Sequence, residues 1–119
     1  MRSLLRGLLL CASALALCGC AVTVPVAVIA SDGETLRGQA TAQEFGNSTF
    51  IVSNDRVSCT GSFNGTTPTR TVSFATHCSD GRSGLGTAWR DTALSGNGTI
   101  LLNDGTTAKF IFGPSAAGF

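Results

Sequence analysis

The chain has 119 residues, with 8 basic and 7 acidic side chains, 15 Gly, no Tyr and only 13% charged residues. That length holds one domain at most, and a formal charge of +1 excludes the broad basic footprint by which nucleic acid is held electrostatically. With an N-terminal leader set aside, about 100 residues remain, enough for a single modest core.

The leader comes first in chain order. Arg2 and Arg6 form a short positive region, residues 8–17 are apolar, and small residues follow, which is the grammar of an export signal. It ends on Leu17-Cys18-Gly19-Cys20, which resembles the lipobox of bacterial lipoproteins: an aliphatic residue at −3, a small residue at −1, then Cys. Cys18 competes for the role, but Leu17 before it is too bulky for the small position. The resemblance implies that Cys20 carries a diacylglyceryl group, that cleavage precedes it, and that its new amine is acylated with a fatty acid such as palmitate. Several acyl chains make a durable anchor where one is marginal. Ala21, in place of Asp, points by the same resemblance to the outer membrane, with the body facing the periplasm. The competing reading is an uncleaved helix, because residues 7–31 carry no charge and could span a bilayer. Against it stand the β-branched run and Pro25 in Val22-Thr23-Val24-Pro25-Val26. The expected organisation is a lipoprotein signal peptide over 1–19, a lipidated anchor and linker over 20–34, and a β domain over 35–119.

The body alternates apolar with Thr, Ser, Gly and Asn, the pattern of half-buried strands, and no stretch holds a period of 3.6. Strands are expected near 36–43, 49–53, 57–63, 70–78, 83–90, 98–102 and 106–112, about seven in an antiparallel meander, all-β, forming a sheet or a barrel. Asn64-Gly65, Asp80-Gly81 and Asp104-Gly105 mark turns. Gly38-x-Ala40, the 46–50 segment and Asp55 echo as Gly86-x-Ala88, 96–100 and Asp104, so two related units are expected.

Setting Cys59 opposite Cys78 places Gly61 against Thr76 and Phe63 against Phe74. A two-residue Asp80-Gly81 turn then sets Thr76 against Leu85, Phe74 against Thr87 and Val72 against Trp89. Phe63, Val72, Phe74, Leu85 and Trp89 share one face in this register. The same turn at Asp104-Gly105 is less tidy: Leu101 meets Ala108, Thr99 meets Phe110, and Ile100, Leu102 and Ile111 fall on the other face. The expected core is Phe63, Val72, Phe74, Trp89, Phe110 and Phe112, enough to fill a small barrel and too few to line a large pocket as well.

Cys59 and Cys78 are the two cysteines of the body, and in an oxidising compartment they are expected as a disulfide across one hairpin. His77 is the single histidine. On a strand it points away from Cys78, which argues against a Cys–His dyad or a metal site, so no catalytic residue, metal or cofactor is expected. The sequon matches Asn47-Ser48-Thr49, Asn64-Gly65-Thr66 and Asn97-Gly98-Thr99 read as turns. The 80–82 and 97–98 turns are candidate working surfaces, with Asp80 and Arg82 as a candidate partner surface.

Cys78-Ser-Asp-Gly-Arg-Ser-Gly84 and the final Asp104-Gly-Thr-Thr-Ala-Lys-Phe-Ile-Phe-Gly113 resemble a family of small, functionally uncharacterised proteobacterial lipoproteins of outer-membrane type. These share "CSDGRTG" and "DGTTAxFxFG" hairpins. The resemblance spans residues 59–113, implies an all-β lipoprotein domain, and brings no activity. The expected function is therefore a lipid-anchored envelope module, structural or binding, held to the membrane through Cys20, with an envelope protein as partner and no nucleic acid. The alternative is a periplasmic enzyme inhibitor resembling lipid-anchored inhibitors of c-type lysozyme, which also combine a lipobox, a compact barrel and a disulfide. Ser83-Gly84 before Trp89 follows their Ser-Gly…Trp order, but the Tyr expected between is absent.

Overall fold

The computed structural model describes residues 21–43, 47–64 and 69–119; the expected signal peptide and Cys20 lie outside the described residues. Eight strands follow one another: β1 (Ala21–Ala30), β2 (Thr35–Gln43), β3 (Ser48–Ser53), β4 (Ser58–Phe63), β5 (Thr71–Cys78), β6 (Ser83–Thr92), β7 (Ser95–Leu102) and β8 (Thr107–Phe112), then a 3-10 turn over Pro114–Gly118. Each pairs antiparallel with its sequence neighbours, and β8 returns to β1 to close a barrel. The all-β meander is as expected. The eighth strand is β1, formed by residues expected to be linker.

Its β-branched run explains the change, since alternating Val and Thr favour a strand wherever a partner edge exists. Pro25 fits because of where it sits. The β1–β8 ladder begins only at Val26, so the missing N–H breaks no ladder bond, while the Pro25 carbonyl accepts from Gly113 N at 2.9 Å.

Three of the four turns at one end share a geometry that departs from the expected two-residue turn. In Ser31-Asp32-Gly33, Ser79-Asp80-Gly81 and Asn103-Asp104-Gly105, three residues lie between the last paired ones, and the glycine has φ near +90° (88°, 91° and 90°). At the second turn Cys78 N donates to Arg82 O (2.8 Å) and Gly81 N to Cys78 O (3.1 Å). The Asp side chain accepts the N–H two residues on, as from Arg82 N (3.1 Å) and Thr106 N (2.9 Å). This is a three-residue hairpin loop with a glycine bulge, one residue longer than Asp-Gly alone suggests.

The extra residue slips both hairpins by one and inverts their side chains. Phe74 faces Gly86 and Val72 faces Ala88, so Leu85 and Trp89 point outward, 73% and 45% exposed; both leave the expected shared face, and Trp89 the expected core. The same correction tidies the last hairpin, where Ile100 faces Ala108 and Gly98 faces Phe110, all inward. The first pairing stands as expected: Cys59 lies opposite Cys78, Gly61 opposite Thr76, and the two cysteines form a buried disulfide.

The slip also reveals how the interior is packed. Four phenylalanines each lie across the barrel wall from a glycine: Phe50 from Gly61, Phe74 from Gly86, Phe110 from Gly98 and Phe112 from Gly96. The rings occupy the space where the glycine side chain would be; a Cβ on Gly86 would lie 2.2 Å from Phe74 Cζ. The rings then meet one another edge to face, Phe50–Phe74 at 5.2 Å and Phe74–Phe110 at 5.6 Å between centroids, with Phe110–Phe112 tilted at 6.3 Å. A small barrel has little room inside, and the glycines are what let its interior hold large rings.

Outward positions carry Arg37, Gln39 and Thr41 on β2, Thr71, Ser73 and His77 on β5, and Lys109 on β8. The same outer wall also exposes Ile29, Ile51, Leu85, Trp89 and Leu101. Among the described residues no helix is long and apolar enough to cross a membrane. The expected repeat maps onto β2–β3 and β6–β7, four strands apart, with Ala40 and Ala88 both buried.

Candidate functional site

The two ends of the barrel differ in chemistry. At the turn end, all four connections contribute to one polar cluster around Arg82 and Glu34. Arg82 Nε contacts Asp80 Oδ2 at 2.8 Å, and its Nη atoms reach Asp104 at 3.7 Å and Glu34 at 4.0 Å. Glu34 also meets Arg56 Nη2 at 3.3 Å and accepts from Asn54 Nδ2 at 2.8 Å. Partial burial pulls the Arg82 pKa down, but the hydrogen bond and charge of Asp80, with the charges of Asp104 and Glu34, outweigh it and raise it above the usual value. The Asp104 carboxyl is held below its usual value, chiefly by the hydrogen bonds from Thr106, with Arg82 adding to them. Just inside this cluster lies the Cys59–Cys78 disulfide, so the turn end is latched twice.

At the other end the interior is not filled. A cavity of about 90 Å³ runs among the inward faces, lined by Val24, Ala42, Phe50, Phe63 and Phe112 toward the rim and by Val26, Ala40, Val72 and Ala88 deeper in. It reaches the outside at the β6–β7 turn, where its lining residues Ala93 and Leu94 are exposed. Arg90 is the one ionisable side chain lining it among the described residues, and its guanidinium donates to the carbonyl of Thr69 at the rim. Ala40, Ala42 and Ala88 occupy inward lining positions where larger side chains would narrow the space, and Ala93 lies exposed at the rim. β1 begins at this end, and so does the residue that follows Cys20.

No family model matches the chain, and no curated protein matches it. Two solved structures share its fold. One is a redesigned β-barrel, 17% identical with a TM-score of 0.61, covering 76% of this chain and 87% of that one. The other is a de novo designed fluorescence-activating β-barrel, 23% identical with a TM-score of 0.58, covering 76% and 88%. Both likenesses are of fold alone.

The residues singled out from the sequence scatter around this frame. Asp80 and Arg82 do come together, but they face each other within the turn cluster, so the charges expected to meet a partner are engaged in holding the barrel's own turns. His77 is exposed on the outer wall opposite Thr60 and Ser83, while Cys78 beside it is buried. Asn97 and Gly98 lie inside β7 and not in a turn, with Gly98 beneath the Phe110 ring. Ser48, completely buried, begins β3, and its hydroxyl accepts from Gln43 N at 3.1 Å, so this sequon runs from the connection at Asn47 into a strand. Among the described residues no group of three His, Cys, Asp or Glu is placed to hold a metal ion. The cavity is not among the features expected from the sequence. Its signal is the run of small residues at inward positions, readable only once the register is correct.

Proposed function

We propose that this chain is a lipid-anchored module of the bacterial cell envelope that works by binding, tethered through Cys20 with the cavity end of its barrel turned toward the membrane. The observation that carries this reading is the start of β1 at Ala21, directly after Cys20 and at the cavity end. A barrel tethered there has no spacer, so its apolar opening is held at the lipid surface while the charged turn end projects away. The disulfide supports an oxidising compartment for the body. The cavity offers apolar contact and one cation, the inventory of a binding site and not that of an acid–base pair. An envelope protein docked against the outer wall is compatible with the same tether.

Mass spectrometry of the N-terminal peptide from the native membrane fraction tests the anchor. It should begin at a triacylated Cys20, and Cys20→Ala should release the protein into the soluble fraction. An intact Met1, or an unmodified terminus, overturns the reading.

A further inference from the structure

We infer that the open rim of the barrel is itself a membrane-contacting surface, its apolar collar seated on a lipid layer that carries anionic headgroups. This deepens the orientation proposed above and rests on it for which end meets the lipid, while needing no acyl chain at Cys20. The collar comes from two segments that border the opening. Ala93 and Leu94 form the tip of the β6–β7 turn and are exposed, Leu94 by 39%. Ala21 and Val22 begin β1 and are exposed too, Val22 by 43%. Val22 is the next inward position beyond Val24, which lines the same cavity as Leu94. That cavity, about 90 Å³, is far below the size that takes a drug-sized ligand, so whatever covers the collar arrives as a surface.

Two further observations name that surface as lipid. Trp89, the single tryptophan of the chain, points outward from β6 four residues before Ala93, roughly 10 Å back along a tilted strand. An amphipathic indole at that setback meets the headgroup layer when Leu94 reaches the acyl boundary. The charges of the two ends agree. Around the turns, Asp32, Glu34, Asp55, Asp80 and Asp104 stand against Arg56 and Arg82, a formal −3. At the rim, among the described residues, Arg70 and Arg90 stand against Asp91, a formal +1. Arg90 is bonded to the Thr69 carbonyl, which leaves its charge in place. An eight-residue strand such as β5, even tilted, separates the ends by about 20 Å, roughly twice the Debye length in physiological salt. An anionic layer at the rim therefore meets the cations and is screened from the acids. Leu85 and Leu101 pair on the outer wall nearer the turns and take no part in the collar.

Residues 21–119 hold all eight strands, the disulfide and the whole core, so the barrel is complete without the leader. That anchorless chain is mixed with vesicles of phosphatidylcholine containing one-third phosphatidylglycerol, and with phosphatidylcholine alone. It should co-sediment with the mixed vesicles, while Trp89 emission moves to the blue and is quenched by brominated acyl chains. One net positive charge near an anionic surface is worth about five-fold in binding, so phosphatidylcholine alone should bind about five-fold more weakly. Arg70→Glu should abolish that preference. Leu94→Ser should weaken binding about ten-fold, from the apolar area it no longer buries. Leu101→Ser makes the same change on the outer wall and should leave binding as it was. All three positions are exposed, so the variants keep the core intact. Absence of co-sedimentation overturns the inference and leaves the collar to a protein partner. It is equally overturned if Leu101→Ser costs as much as Leu94→Ser, or if Trp89 of the bound protein stays in water. The mass of the N-terminal peptide decides the anchor and the anchorless chain decides the rim, so the two failures are distinct.

Discussion

Replacing Gly86 by Ala should destabilise the barrel even though alanine is ordinarily the better strand residue. In an unstrained strand the change gains about 0.5–1 kcal/mol, because glycine loses more backbone freedom on folding. Here the new Cβ would sit 2.2, 2.5 and 2.9 Å from three atoms of the Phe74 ring, where carbon–carbon contacts belong at about 3.5–4.0 Å. The ring must retreat by more than an ångström, toward Phe50 and Phe110, whose rings it already meets edge to face. Overpacking of this kind costs about 1–3 kcal/mol, and each disturbed aromatic pair adds up to roughly 1 kcal/mol. The net expectation is a loss of about 1–2 kcal/mol, which at a urea slope of about 1–2 kcal/mol/M moves the midpoint down by roughly 1 M. Gly118→Ala, with nothing within 4 Å of its Cβ, is the matched control and should leave the midpoint in place. Phe74→Leu should cost stability alone yet relieve Gly86→Ala in the double variant, giving a coupling of at least about 0.5 kcal/mol. An unchanged or raised midpoint for Gly86→Ala, or a coupling of zero, would refute the ring-over-glycine account of the core.

Three further outcomes are expected. Thr76 is 1% exposed and its hydroxyl has no hydrogen-bond partner among the described residues, so Thr76→Val should raise stability by about 1 kcal/mol in chemical denaturation; a loss would mean that a buried water serves the hydroxyl. Reducing the Cys59–Cys78 bridge, or replacing both cysteines by Ser, should cost about 3 kcal/mol from the loop it closes, read as a drop in Tm. Because the Asp104 pKa is lowered on folding, its contribution is complete above the usual carboxylate range and fades as pH falls through the folded value. Asp104→Asn should therefore flatten the acid limb of a stability–pH profile, and Arg82→Gln should flatten it less, with only the Arg82 part shrinking at high salt because the Thr106 hydrogen bonds supply most of the shift.

Fold class, strand alternation and the cysteine pairing are legible in the sequence because each rests on local signals: period-two patterning, turn dipeptides and an even pair of thiols. The register of the last four strands is not, and the reason is one residue. Asp-Gly suits a two-residue turn and a three-residue loop with a glycine bulge about equally well, since both need glycine at positive φ. The dipeptide alone cannot choose. What distinguishes them is the residue before the Asp: Ser79 donates its N–H to Ser58 O at 2.7 Å, and its hydroxyl accepts from Ser58 N at 3.0 Å. Those partners lie on β4, twenty-one positions away, and only the folded barrel brings them together. A second clue is local. With the longer loop, every inward phenylalanine of the last four strands lands on a glycine, whereas the shorter turn sets Phe74 against Thr87. Small–large complementarity across strands, taken as a constraint, selects the right register from the residues alone.

The corrected register also explains why one end of the barrel can tolerate a cavity. Closing a small interior requires large side chains to meet small ones, and the phenylalanine–glycine pairs satisfy that through the middle. Toward the turns the remaining space is taken by Val28, Leu36, Val57, Leu102 and the disulfide, and beyond them the Arg82–Glu34 cluster ties four loops together. Stability is thus concentrated at the end away from the start of β1. Toward that start the lining turns to Ala40, Ala42 and Ala88, with the exposed Ala93 at the rim, and each inward alanine gives up burial that a leucine would supply. A sequence shaped only for stability would have filled these positions, since cavity filling commonly gains about 0.5–2 kcal/mol. Three small inward residues leading to one opening are better understood as stability forgone for access to the interior.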